Sequence, residues 1–180
     1  MDLFEVIKCR RSVHSFTEEE LSDDKINILL EAARWAPSAG NVQPWRFVVV
    51  RKPENIEKIW EATAWHAPDI TPQNFIRKAS VIIVVCTDTT AYKRRQSSIR
   101  SSLFCIQDAA AATQNLLLAA CGLELGACWV GMFDEDRLKE ALNIPAGIRP
   151  VAIIPVGHTK SKKKPPSRKP LEDIVYHETF

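Results

Sequence analysis

The stretch from Leu103 to Cys121 constrains this chain more than any other. Leu103, Ile106, Ala110, Thr113, Leu117 and Ala120 recur at helical spacing, so the segment reads as one long helix with Gly122 as its stop. Its other faces carry Ala109, Ala111, Ala112 and Ala119. A helix that is apolar almost all round needs cover on several sides. The chain has 180 residues, about the size of one folding unit, and a subunit interface is one way to supply that cover.

Shorter elements lie on either side. Leu3, Phe4 and Ile7 give a brief helical face that stops before Arg10. Ser22 caps a second helix, with Asp23 and Asp24 at the positive end of its dipole. Ile26, Leu29, Leu30 and Ala33 line one side of that helix, and Pro37 ends it. Phe47–Val50, Val81–Cys86 and Val151–Val156 read as buried strands rich in β-branched residues. Pro53 opens a helix carrying Ile56, Ile59 and Trp60, and Asp134 starts another through Leu142. Helices and strands mix without strict βαβ alternation, which predicts an α+β fold with a central sheet of unreadable strand order.

Several function classes recede on composition. A net charge of +2 is too small to imply a nucleic-acid partner. The five cysteines, Cys9, Cys86, Cys105, Cys121 and Cys128, form no C-x-x-C pair, so neither a disulfide framework nor a metal site is expected. The opening MDLFEVIKCRRS lacks a signal-peptide layout, and Val81–Cys86 is too short to span a membrane. The expected location is the cytoplasm.

Four segments can carry chemistry. Arg10-Arg11-Ser12-Val13-His14 offers two guanidinium forks and a hydroxyl, suited to a phosphate, though basic pairs are more often simply solvated. Pro37-Ser38-Ala39-Gly40-Asn41-Val42-Gln43-Pro44-Trp45 combines small residues with two side-chain amides, which suits a heteroaromatic ring or an ordinary helix-to-strand turn. Trp129-Val130-Gly131 ends an apolar piece where backbone N–H groups can face a ligand, or where a buried strand merely turns. Arg168 sits in a Pro-rich tail that is extended and open to a ligand, a partner or solvent.

In this order and spacing, the four segments resemble the nitroreductase family of flavoproteins, from Arg10 to about Val175. The P-S-x-x-N-x-Q-P-W stretch is the most distinctive part. The resemblance implies a central, mainly antiparallel sheet flanked by helices, in an intertwined homodimer with FMN at the subunit interface. Residues 1–180 would form a single FMN-binding domain with a C-terminal extended arm at about 159–180. Arg10, Arg11 and Ser12 would take the phosphate and ribityl end, with Arg168 closing over the phosphate. Pro37, Ser38, Ala39, Asn41 and Gln43 would meet the ring and ribityl chain from the partner subunit. The backbone of Trp129, Val130 and Gly131 would lie along one ring face and direct an N–H at the hydride-accepting nitrogen. The helix at Leu103–Cys121 would form the dimer.

His14 stands where the family usually places Arg or Lys, and a plain hydrogen-bond donor is the preferred reading. Cys128 reads as a buried structural thiol. The implied activity is hydride transfer from NADH or NADPH to a small acceptor, such as a nitroaromatic or quinone, by a ping-pong scheme. No side chain is assigned as a catalytic acid or base, because the cofactor carries the chemistry. A flavin-binding sensor or carrier without turnover, a flavin-dependent dehalogenase and a flavin-fragmenting enzyme are the alternatives. Substrate choice is expected to fall to the irregular stretches Trp65–Lys78 and Asp88–Ser101, the second carrying Tyr92, Lys93, Arg94, Arg95 and Arg100.

Overall fold

The computed structural model describes residues 1–63, 73–92, 98–161 and 164–180. Among them run α1 (Leu3–Cys9), α2 (Asp23–Arg34), β1 (Trp45–Val50), α3 (Pro53–Thr63), β2 (Val81–Asp88), α4 (Ser98–Gly122), β3 (Gly126–Ala127), α5 (Glu135–Leu142) and β4 (Ile148–Gly157). The strands form one sheet in the order β1-β2-β4-β3, with every neighbouring pair antiparallel. The fold is α+β with a central antiparallel sheet.

The sheet is covered on both faces, which is why β2 reads as an unbroken apolar run rather than an alternating one. Val81, Ile83 and Val85 point into one core with α2 and α4, while Ile82, Val84 and Cys86 point into the other with α3 and α5. The expected cap holds at Ser22, whose Oγ accepts from Lys25 N, and Asp134 caps α5 through Oδ1. α4 ends at Gly122, but the left-handed residue that turns the chain is Glu124, at φ 59°.

Three elements differ from their sequence pattern. β4 begins at Ile148, three residues ahead of the apolar run, and crosses Pro150. A proline cannot donate to a ladder, and the register shifts beside it, between Val85 and Cys86. α4 begins at Ser98, so Ser98–Ser101 is helical rather than irregular. Its C-terminal half buries Ala112, Thr113, Leu116, Leu117 and Ala120, but Leu103 and Ile106 stay 50% and 40% exposed on the single chain. On α1 only Val6 is buried; Leu3, Phe4 and Ile7 face outward.

The register gives the sheet two ends. Trp45, Thr87 and Arg149 align at one end, while Ala127, Val156 and Val81 align at the other. β2 alone separates them by roughly 20 Å, at about 3.4 Å per residue.

Candidate functional site

The segment after α1 is stitched to the β3 end of the sheet. Val13 N donates to Ala127 O at 3.0 Å, and Thr17 N donates to His158 O at 2.8 Å. Thr159 Oγ1 donates to Ser15 O at 2.8 Å. Gly126 permits this close crossing, since a Cβ there would stand 2.8 Å from Val13 Cγ1 and 3.0 Å from Thr159 Cγ2.

Beside this crossing lies a cleft of about 670 Å³. Its described lining residues include Arg10, Arg11, Lys25 and Lys160 against one carboxylate, Glu124. Arg11 Nη1 donates to Arg10 O at 2.5 Å, whereas the buried Arg11 Nε has no hydrogen-bond partner. A fork held by its own backbone, with a spare buried N–H and three further cations around it, suits a phosphate monoester. The cleft therefore fits the phosphate end of FMN. Ser12 is exposed and pairs with Ala127 as an isolated parallel bridge.

From Ala127 the chain runs toward the middle of the sheet. Val130 N donates to Ile153 O, and Ile153 N donates to Val130 O, both at 3.0 Å. The Val130 N–H is thus held by the sheet, and any donor to a ring nitrogen has to come from a neighbouring residue such as Trp129 or Gly131. Cys128 is buried, as expected, and its Sγ lies 3.4 Å from His14 Nε2. The His14 ring sits 4.6 Å from that of Phe75. His14 is therefore brought beside the Trp129–Gly131 strip.

Pro37–Gln43 stands elsewhere. It leads into Trp45 at the opposite end of the sheet. Gly40, Asn41 and Gln43 all adopt left-handed backbone, at φ 58°, 54° and 53°. Such geometry at two non-glycine residues is costly and persists only where the surroundings fix it. Asn41 N donates to Ser38 O and Gln43 N to Ser38 Oγ, both at 3.0 Å. The two amides engage each other, Gln43 Nε2 donating to Asn41 Oδ1 at 2.9 Å.

Two residues that the sequence reading did not place against this loop hold it. Asp108 Oδ1 on α4 accepts from Ala39 N at 3.3 Å. The Tyr92 hydroxyl, with one proton to give, lies between Asp108 Oδ2 and Ala39 O. Burial, reinforced by the Asp108 carboxylate, pushes the Tyr92 phenol well above its usual range, so it stays protonated. Tyr92, expected in a stretch that decides substrate choice, is thus a buried anchor of this loop. Asp108 carried a signal: it is the sole acidic residue between Leu103 and Cys121.

Arg168 is not brought to the cleft on the single chain. It is exposed, and its Nη1 donates to the carbonyls of Pro166 and Ser167 at 3.3 and 3.2 Å. Residues 65–72, Lys93, Arg94 and Arg95, expected to shape substrate choice, lie outside the described residues, as does the Arg100 side chain.

Comparison with known proteins follows the same outline. The model of the nitroreductase family matches residues 7–158. A Methanothermobacter thermautotrophicus protein provisionally named NADH dehydrogenase/NAD(P)H nitroreductase is 37% identical over 163 residues, covering 88% of this chain and 78% of its own. A Bacillus subtilis protein named FMN reductase (NADPH) is 29% identical over 191 residues, covering 97% of this chain and 72% of its own. The crystal structure of a nitroreductase family protein from Streptococcus pneumoniae superposes with a TM-score of 0.86 at 26% identity, covering 98% of this chain and all of the other. On sequence and fold together, the chain belongs to the nitroreductase family.

Proposed function

We propose that this chain is an FMN-dependent oxidoreductase that passes hydride from NADH or NADPH to a small acceptor such as a nitroaromatic or quinone. It works as a cytoplasmic homodimer, with residues 1–180 forming one FMN-binding domain whose C-terminal arm starts at about 159. The observation that carries the reading is the cationic cleft with the unpartnered Arg11 Nε, at the head of the Ala127–Gly131 strip. The relatives named NAD(P)H nitroreductase and FMN reductase support it.

Arg10, Arg11 and Ser12 would hold the phosphate, and Arg168 would reach it from the arm, which is exposed along 164–180. Trp129 and Gly131 would lie along the ring, and His14 would donate one hydrogen bond near it. Pro37, Ser38, Ala39, Asn41 and Gln43 would complete the site from a second copy, since their loop stands at the other end of the sheet in the first. Bound there, FMN would supply hydride acceptance and release, with reductant and acceptor using the same space in turn.

The test is a visible absorption spectrum of the purified protein, before and after anaerobic NADH or NADPH and again after adding a quinone or nitroaromatic. A flavin spectrum that bleaches and returns is the expected result. Flavin that binds but never bleaches would leave a carrier, and a protein that takes up no FMN would overturn the reading.

A further inference from the structure

The cleft wall holds two thiols that hydride transfer does not use. Cys9 closes α1 and Cys121 lies in the last turn of α4. Their Sγ atoms are 3.0 Å apart, although 112 residues separate them in sequence. Both line the phosphate cleft, so a small solute in that cleft can meet them. The other three cysteines differ: Cys86, Cys105 and Cys128 are buried.

We propose that Cys9 and Cys121 form a reversible modification site, closing to a disulfide that fastens α1 to α4 when a peroxide enters the cleft. Cys9 is exposed and Cys121 is half-buried, so the first attack falls to Cys9. Burial pushes the Cys121 thiol up to about 12, with Cys9 adding to the shift and Arg10 and Arg11 opposing it. A thiol so raised is the poorer first nucleophile, and its sulfur, 3.0 Å from that of Cys9, is placed for the second, resolving step. The Cys9 sulfur, deprotonated, displaces hydroxide from hydrogen peroxide and becomes a sulfenic acid. The Cys121 sulfur then attacks Cys9, expelling a second hydroxide as the S–S bond forms. Two thiols and one peroxide give one disulfide and two waters. Two electrons pass to the O–O bond, and the two thiol protons complete the waters. A dithiol reverses the change.

The consequence is local and mechanical. Cys9 directly precedes Arg10, whose N–H caps α1 by donating to Val6 O at 3.0 Å. Packing and caps alone hold the short α1 in the reduced protein. The bond would fix that segment to the long helix and close a loop spanning most of the chain.

The experiment is a thiol count on the denatured full-length protein, before and after stoichiometric hydrogen peroxide, beside Cys9→Ser and Cys121→Ser. The wild type is expected to fall from five free thiols to three while staying a single chain on a non-reducing gel. Each variant is expected to form no intramolecular bond. The oxidised wild type should melt about 5–10 °C higher at fixed concentration, and dithiothreitol should remove the gain. Five surviving thiols, covalent dimers, or a two-thiol loss that persists in Cys9→Ser would each overturn the proposal.

Discussion

Arg11 Nε is buried without an acceptor while Nη1 of the same guanidinium folds back onto Arg10 O. An unmet buried donor costs about 1–3 kcal/mol, and on the proposed reading a phosphate oxygen would meet it. Arg11→Met should therefore leave the flavin-free protein at least as stable in urea, yet weaken FMN binding by about 1.5–3 kcal/mol, read by flavin fluorescence titration. Unchanged affinity would remove the phosphate role. Tyr92→Phe acts with the opposite sign on the fold. It strips the hydroxyl from Asp108 Oδ2, loosens the loop at Ala39, and should cost about 1–3 kcal/mol of stability by urea denaturation. At the exposed end of α2, hydrogen bonds from Arg34 and Trp35 lower the Glu31 carboxyl from 4.5 to about 2. A depressed carboxylate contributes stability above its unfolded value and loses it as the pH falls through the folded one. The Glu31 carboxyl should thus titrate near pH 2 by NMR, and Arg34→Gln should bring that titration back toward the ordinary carboxylate range; the pair is solvent-screened, so global stability should change little.

Among the elements, the two-residue β3 bears more on the site than its length suggests. Gly126 lets Val13 and Thr159 cross over it, and Ala127 receives Val13. Gly126→Ala forces that crossing apart and should destabilise the protein by about 1–3 kcal/mol. FMN binding should weaken with it, because Arg10–Ser12 hangs from this junction; calorimetry and flavin titration on one preparation check both. β3 also shows where sequence pattern stops. α2, α3 and β2 were legible because period and length agree in each. Two paired residues have no period, and the opening of β4 is hidden by Pro150, beside which β4 carries an extra residue, Val151, in its pairing with β2. R-R-S and P-S-x-x-N-x-Q-P-W were legible as motifs because each is local. Their anchors were not: Asp108 is 69 residues from Ala39 and Tyr92 is 53, and only folding brings those pairs together.

Across the whole molecule, the cationic cleft and the Pro37–Gln43 loop occupy opposite ends of one sheet, whose ends lie roughly 20 Å apart along β2. On the proposed reading, one chain does not bring both to the same FMN. Two chains related by a two-fold axis can, each lending its loop to the other's cleft, and such a pairing is symmetric and closed. The single chain also leaves apolar surface where a partner would lie: Leu3 and Phe4 on α1, Leu103 and Ile106 on α4, and Ile174 and Tyr176 on the arm. Exposed patches of this kind mark association sites. Ile106→Asp tests the arrangement. On an isolated chain the carboxylate would sit in water at little cost, so the fold should survive; in a dimer it would be buried unpaired, a penalty large enough to split the pair. The expected outcome is a folded monomer by sedimentation velocity and circular dichroism that no longer retains FMN, with Ile106→Leu remaining dimeric and yellow. A folded Ile106→Asp monomer that still holds FMN would show that one chain suffices, and the loop at Asn41 and Gln43 would then need another role.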